Sequence, residues 1–128
     1  MKEPVWLLDE VVTAIHSRQL AEHGGLDGIR DLGMLSSALA RPKNAFAYSQ
    51  PKPDVATLAA AYAFGNIKNH PFVDGNKRTA YVLCRTFLKL NGYDIDATDI
   101  EKYQTFLGVA EGTLDENQIA DWIRSKQV

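Results

Sequence analysis

The spacing of the apolar residues constrains this chain most. It follows the helical period of about 3.6 almost everywhere and never alternates long enough to demand a sheet. Two stretches go further. Between Asp54 and Asn69, the residues Leu58, Ala59, Tyr62, Ala63, Phe64 and Ile67 point in nearly every direction. Between Asn76 and Asn91, so do Ala80, Tyr81, Val82, Leu83, Cys84, Phe87, Leu88 and Leu90. A helix that is apolar all round needs neighbours on most sides, so both are expected at the centre of a bundle.

The flanking elements follow from their stop signals. A first helix is expected from Asp9, as its cap, through Glu22, with Gly24-Gly25 closing it. A second covers about Asp31 to Ala40, because Pro42 pushes Arg41 out of the helical region. Residues 41–53 hold three of the five prolines and read as an irregular excursion exposing Phe46, Tyr48 and Gln50. Thr98-Asp-Ile-Glu101 is a capping box for a fifth helix ending before Gly112. A sixth, capped by Thr113 or Asp115, runs to Ser125 with Ile119, Trp122 and Ile123 facing inward. The expectation is an all-α bundle of about six helices forming a single domain over 1–128, its two central helices flanking one polar loop.

Charge and cysteine content narrow the function. Fourteen Lys and Arg against 16 Asp and Glu leave a net charge of −2, which supplies no basic field for a phosphate backbone, so direct nucleic-acid binding is not expected. Cys84 is the only cysteine and can build neither an internal disulfide nor a Cys-rich zinc site. No apolar run approaches the ~20 residues of a membrane span, and the start MKEPVWLLDEVV carries acids where a signal peptide has none. A cytoplasmic protein without a membrane partner is expected.

The loop between the central helices, His70-Pro71-Phe72-Val73-Asp74-Gly75-Asn76-Lys77-Arg78, concentrates the chemistry. Pro71 takes His70 out of the helical region, releasing its imidazole at the end of the third helix. Phe72 can pin the loop into the core. Asp74 is a hard oxygen ligand suited to Mg²⁺, which takes one or two carboxylates plus phosphate oxygens. Gly75 and Asn76 tolerate turns that aim N–H groups into an anion nest. Lys77 and Arg78 lie on the first turn of the fourth helix, where the free N–H groups and the dipole already favour an anion. Cations there are unfavourable unless something negative arrives, and a phosphate meets that need. Base, metal ligand, nest and clamps together form a phosphoryl-handling set.

This segment resembles the motif of the Fic/Doc family, and in its lysine form the death-on-curing (Doc) toxins of toxin–antitoxin modules. Gly24-Gly25-Leu26 and Leu35-Ser-Ser-Ala-Leu-Ala-Arg41-Pro42 extend the resemblance, which is weakest after Gly92. It implies that His70 is the general base for a hydroxyl of a target protein, that Asp74 holds Mg²⁺ on the nucleotide, and that Gly75 and Asn76 form the nest. It implies likewise that Arg78 clamps phosphate. Adenylylating members usually carry glycine where Lys77 stands. A lysine there goes with ATP bound the other way round, and so with phosphoryl rather than AMP transfer. AMP transfer, or a catalytically idle binding module, is the alternative.

The target implied by the resemblance is elongation factor Tu, with translation arrest as the outcome. Lys68 aligns with an arginine in Doc-like sequences and could touch phosphate, and residues 41–53 fall where the family places a target-aligning flap. No self-inhibitory Ser/Thr-x-x-x-Glu-Gly/Asn stretch is present: Leu107 precedes Glu111-Gly112 and Gly112 precedes Glu116-Asn117 by four places. A separate antitoxin protein is therefore implied as partner. His16 and His23, seven apart, have no metal-ligand spacing with His70, and Cys84 reads as a small buried hydrophobe.

Overall fold

Six helices make up the fold in a computed structural model that describes residues 2–128: α1 (Asp9–His23), α2 (Leu32–Tyr48), α3 (Val55–Asn69), α4 (Asn76–Leu90), α5 (Asp99–Glu111) and α6 (Glu116–Lys126). The all-α expectation holds; among the described residues the only β pairings are two isolated bridges, Ile29 with Phe72 and Ile95 with Gln127.

Helix α3 is the centre. Asp54 caps it, accepting from the Thr57 N–H at 2.9 Å, and Ala56, Ala59, Ala60, Ala61 and Ala63 are buried along its length. Such small side chains let α2, α4 and α6 close on it from different sides. Gly65 shows how tight the α2 contact is, since an added Cβ would lie 3.4 Å from the Ala38 backbone. Helix α4 is one-sided instead. Thr79, Ala80, Leu83, Cys84, Phe87 and Leu88 are buried, Leu90 is exposed, and Arg85 and Lys89 point outward. Phe87 packs between Trp6 and Tyr62, with ring centroids 5.9 and 5.1 Å away, so truncating it to alanine costs about 3–5 kcal/mol.

Two boundaries differ from expectation. Asp9 is not the cap of α1: Leu8 holds that position without a side-chain bond, and Asp9 opens the first turn, where its charge suits the dipole. Helix α2 does not stop at Ala40 but runs through Pro42 to Tyr48. Proline inside a helix costs about 3 kcal/mol, because its ring displaces a carbonyl and removes a donor. Here Leu35, Ala38, Leu39 and Pro42 form one buried stripe that Ala45 and Phe46 continue, and that burial outweighs the penalty. Arg41, expected outside the helix, is held in it by Glu116 of α6 and by the face of the Phe64 ring at 5.1 Å.

The irregular excursion therefore shrinks to residues 49–54. Phe46 folds onto the core edge against Trp6, at 5.9 Å between centroids, whereas Tyr48 stays 84% exposed. The Thr98 capping box forms as the sequence implies, and of the two candidate caps for α6 it is Asp115 that serves, in a capping box with Gln118.

Candidate active site

Helix α3 ends at His70, whose φ of 48° and ψ of 55° are left-handed; among the described residues it alone combines a side chain with positive φ. That conformation costs roughly 1–2 kcal/mol for an L-residue, so something must hold it. The holding element is the stretch before α2, which runs antiparallel to the loop. The Arg30 and Asp31 N–H groups both donate to the Pro71 carbonyl, at 2.7 and 3.1 Å, and the Val73 N–H donates to Gly28 at 3.0 Å. The Arg30 guanidinium donates to the carbonyls of His70 and Asn69, at 2.6 and 2.8 Å. The imidazole of His70 is left exposed.

Beneath the loop, Phe72 is fully buried with the His16 ring stacked on it at 3.7 Å. His16, also buried, donates from Nε2 to the Asp74 carbonyl at 2.9 Å, so its role is to seat the loop. Asn76 is buried as well. Its Oδ1 accepts from the Phe72 N–H at 3.1 Å, its Nδ2 donates to the Phe72 carbonyl at 2.9 Å, and its own carbonyl accepts from Asn66 at 2.9 Å. The expected nest is therefore built differently. The Asn76 side chain faces inward, and the Gly75 N–H is taken by the Asp74 carboxylate at 2.8 Å. What remains for an anion are the first-turn N–H groups of α4, at Asn76, Lys77 and Arg78, which no helical carbonyl can reach. Gly75 enters that turn at φ 77°, a backbone state that favours glycine.

Asp74 is anchored from two directions. Oδ2 accepts from the Leu26 N–H at 3.2 Å and Oδ1 from Gly75, and these donors, Leu26 foremost, hold its carboxyl below the usual carboxylate range. Gly25 lies so close that an added Cβ would sit 2.9 Å from Oδ2. Arg78 reaches the same segment, donating to the Gly24 carbonyl at 3.2 Å.

Ile67, His70, Asp74, Gly75, Asn76, Lys77, Arg78 and Ala110 line one cleft of about 410 Å³. Six of the seven sequence-selected positions are thus brought together; Lys68 is not, its ammonium lying 5.6 Å from the Phe64 ring centre instead. Lys77 and Arg78 also line a second cleft of about 500 Å³, between α1, α4 and α5, walled by Tyr81, Tyr103 and Phe106. Sequence reasoning did not anticipate Arg30, the seating role of His16 or this second cleft. Arg30 sits in a stretch without periodicity, just before the expected start of the second helix at Asp31, and nothing local marks it. Cys84 is buried, and burial pushes its thiol up, which fits the inert role expected.

The donor set has a consequence for metals. No group of three or more His, Cys, Asp or Glu that could cage an ion occurs among the described residues. Asp74 offers hard oxygens with one backbone bond each, so a cation here would need a ligand's oxygens to complete its shell, which suits Mg²⁺ on a polyphosphate.

The chain is 36% identical over 99 residues to Toxin Doc of Mycolicibacterium smegmatis, covering 76% of each chain. It is 29% identical over 116 residues to Protein kinase doc of Escherichia phage P1, covering 90% of each. Residues 6–88, from the arm before α1 through the motif loop and most of α4, match the Fic/DOC family, and the chain belongs to it.

Proposed function

We propose that this protein is a Doc-type toxin that transfers the γ-phosphoryl group of ATP to a hydroxyl of a target protein, elongation factor Tu, and so arrests translation. The observation that carries the reading is the convergence of one imidazole, one ionised carboxylate and two cations on the first turn of α4. A helix start crowded with Lys77 and Arg78 is electrostatically incomplete without an anion. The relative named Protein kinase doc supports phosphoryl transfer, and the relative named Toxin Doc supports the biological outcome.

In this reading the α4 N–H groups, Lys77 and Arg78 grip the polyphosphate and stabilise the charge that spreads over the transferring phosphoryl oxygens. Asp74 holds Mg²⁺, which neutralises phosphate charge when bound. His70 accepts the proton from the target hydroxyl as its oxygen bonds to the γ-phosphorus; the bond to the β-phosphate oxygen breaks and ADP leaves. Lys77 occupies the space that glycine leaves open in adenylylating relatives, which favours the γ-phosphate facing the target. An antitoxin protein restrains the activity, a reading that the likeness to the relative named Toxin Doc supports.

Labelled ATP tests the reading. Label from the γ-position should reach elongation factor Tu, and His70→Ala should lower that transfer about 10²–10⁴-fold while the thermal midpoint stays close to wild type. Label arriving from the α-position instead would replace phosphoryl transfer with AMP transfer. Undiminished transfer by His70→Ala would remove the base assignment.

A further inference from the structure

We propose that Arg30 is a positioning residue for His70: its guanidinium, reaching from the segment before α2, locks the backbone that aims the imidazole. The inference rests on the reading of His70 as the base. Three consecutive carbonyls at the end of α3 are bound by this one residue. The guanidinium takes Asn69 at 2.8 Å and His70 at 2.6 Å, and the main-chain N–H takes Pro71 at 2.7 Å.

The Asn69 carbonyl closes α3 and that of its cap His70 follows, where no helical N–H is available to them and the dipole favours a cation. The flat fork of arginine spans two oxygens at once, which an ammonium cannot do. Between them lies His70 in its left-handed state, a conformation the chain would otherwise leave. Fixing the carbonyls on both sides of its Cα fixes the direction of the Cα–Cβ bond, and hence where the ring points. Arg30 does not line the cleft, so its influence passes through the His70 backbone rather than through the nucleotide.

The test uses the full chain with labelled ATP and elongation factor Tu. Arg30→Ala is expected to lower kcat about 10–10²-fold with KM for ATP within about two-fold, the loss that a displacement near 1 Å brings. Arg30→Lys should recover part of it, and carries the same comparison if the alanine variant does not fold. In a His70→Ala background, Arg30→Ala should add less than about two-fold, because residues acting through one group do not multiply their losses.

A second readout needs no substrate. The chain has three histidines, so their ring signals in an NMR spectrum are readily assigned. The His70 signal should shift or broaden in Arg30→Ala while that of His23 stays in place. Wild-type kcat, a rise in KM without a fall in kcat, multiplied losses in the double variant, or an unmoved His70 signal each overturn the proposal. Failure of His70→Ala to affect transfer overturns the base reading itself, a result distinct from an inert Arg30→Ala beside an inactive His70→Ala.

Discussion

Asn76 separates two accounts of the loop, one in which its side chain serves the ligand and one in which it serves the fold. In the structure both ends of its amide are committed to the Phe72 backbone, at 3.1 and 2.9 Å, in a place where Asn76 is 6% and Phe72 0% exposed. Asn76→Ala strands one buried N–H and one buried carbonyl. Each stranded group costs about 1–3 kcal/mol, and water from the adjoining cleft keeps the sum toward the lower end, so the expected loss is about 2–4 kcal/mol. For a chain of this size that lowers the thermal midpoint by roughly 6–16 °C. Chemical denaturation monitored by circular dichroism gives the free energy directly, and nucleotide titration of the folded fraction gives the affinity. A stability loss below about 1 kcal/mol together with a large loss of affinity would refute the inward-facing assignment. It would return Asn76 to the ligand.

Further expectations concern the neighbouring residues. Gly25→Ala forces a Cβ to within 2.9 Å of Asp74 Oδ2 at a backbone φ of 126°, so it should weaken Mg²⁺-dependent nucleotide binding as well as stability. Unchanged Mg²⁺ dependence, measured by calorimetry, would detach Asp74 from the metal. Lys77→Gly should reduce γ-phosphoryl transfer and let AMP transfer appear; an unaltered product profile would show that Lys77 does not set the reaction. Acid should destabilise the fold in a defined window. Arg85 holds Asp94 down to about 2, and Lys126 holds Glu101 down to about 2, against ordinary values of 3.8 and 4.5. A depressed folded pKa stabilises above the unfolded value and loses its contribution as pH falls through the folded one. The thermal midpoint should therefore drop between about pH 4.5 and 2 and stay flat, as regards these groups, above that range.

The sequence disclosed the helices best where local chemistry and burial agree. Asp54, Thr98 and Asp115 cap helices because their side chains reach N–H groups a few residues on, a relation written within four residues of chain. The motif loop was legible for the same reason. The local rule at Pro42 is overruled by a stripe that buries Leu35, Ala38 and Leu39 against α3, a packing partner that no local rule at Pro42 takes into account. The over-estimated burial of α4 has a related origin: apolar residues such as Leu90 and Tyr81 say nothing of which neighbours will be present. In the site, the types and order of His70, Asp74, Lys77 and Arg78 could be read directly. The tethers that orient them could not, because Gly24, Leu26 and Arg30 act across 54, 48 and 40 residues. Asn76 shows the residual ambiguity of a short polar side chain, which suits an anion cradle and a buried latch equally until its surroundings are known.

His70 occupies a backbone state that glycine adopts freely and an imidazole does not. A screen of random variants ranked only by heat resistance would therefore enrich for glycine or asparagine at this position and, on the proposed mechanism, collect proteins that survive without a base. On the proposed mechanism the less comfortable residue trades durability for chemistry, and position 70 is a place where improved hardiness and lost function would arrive in the same substitution.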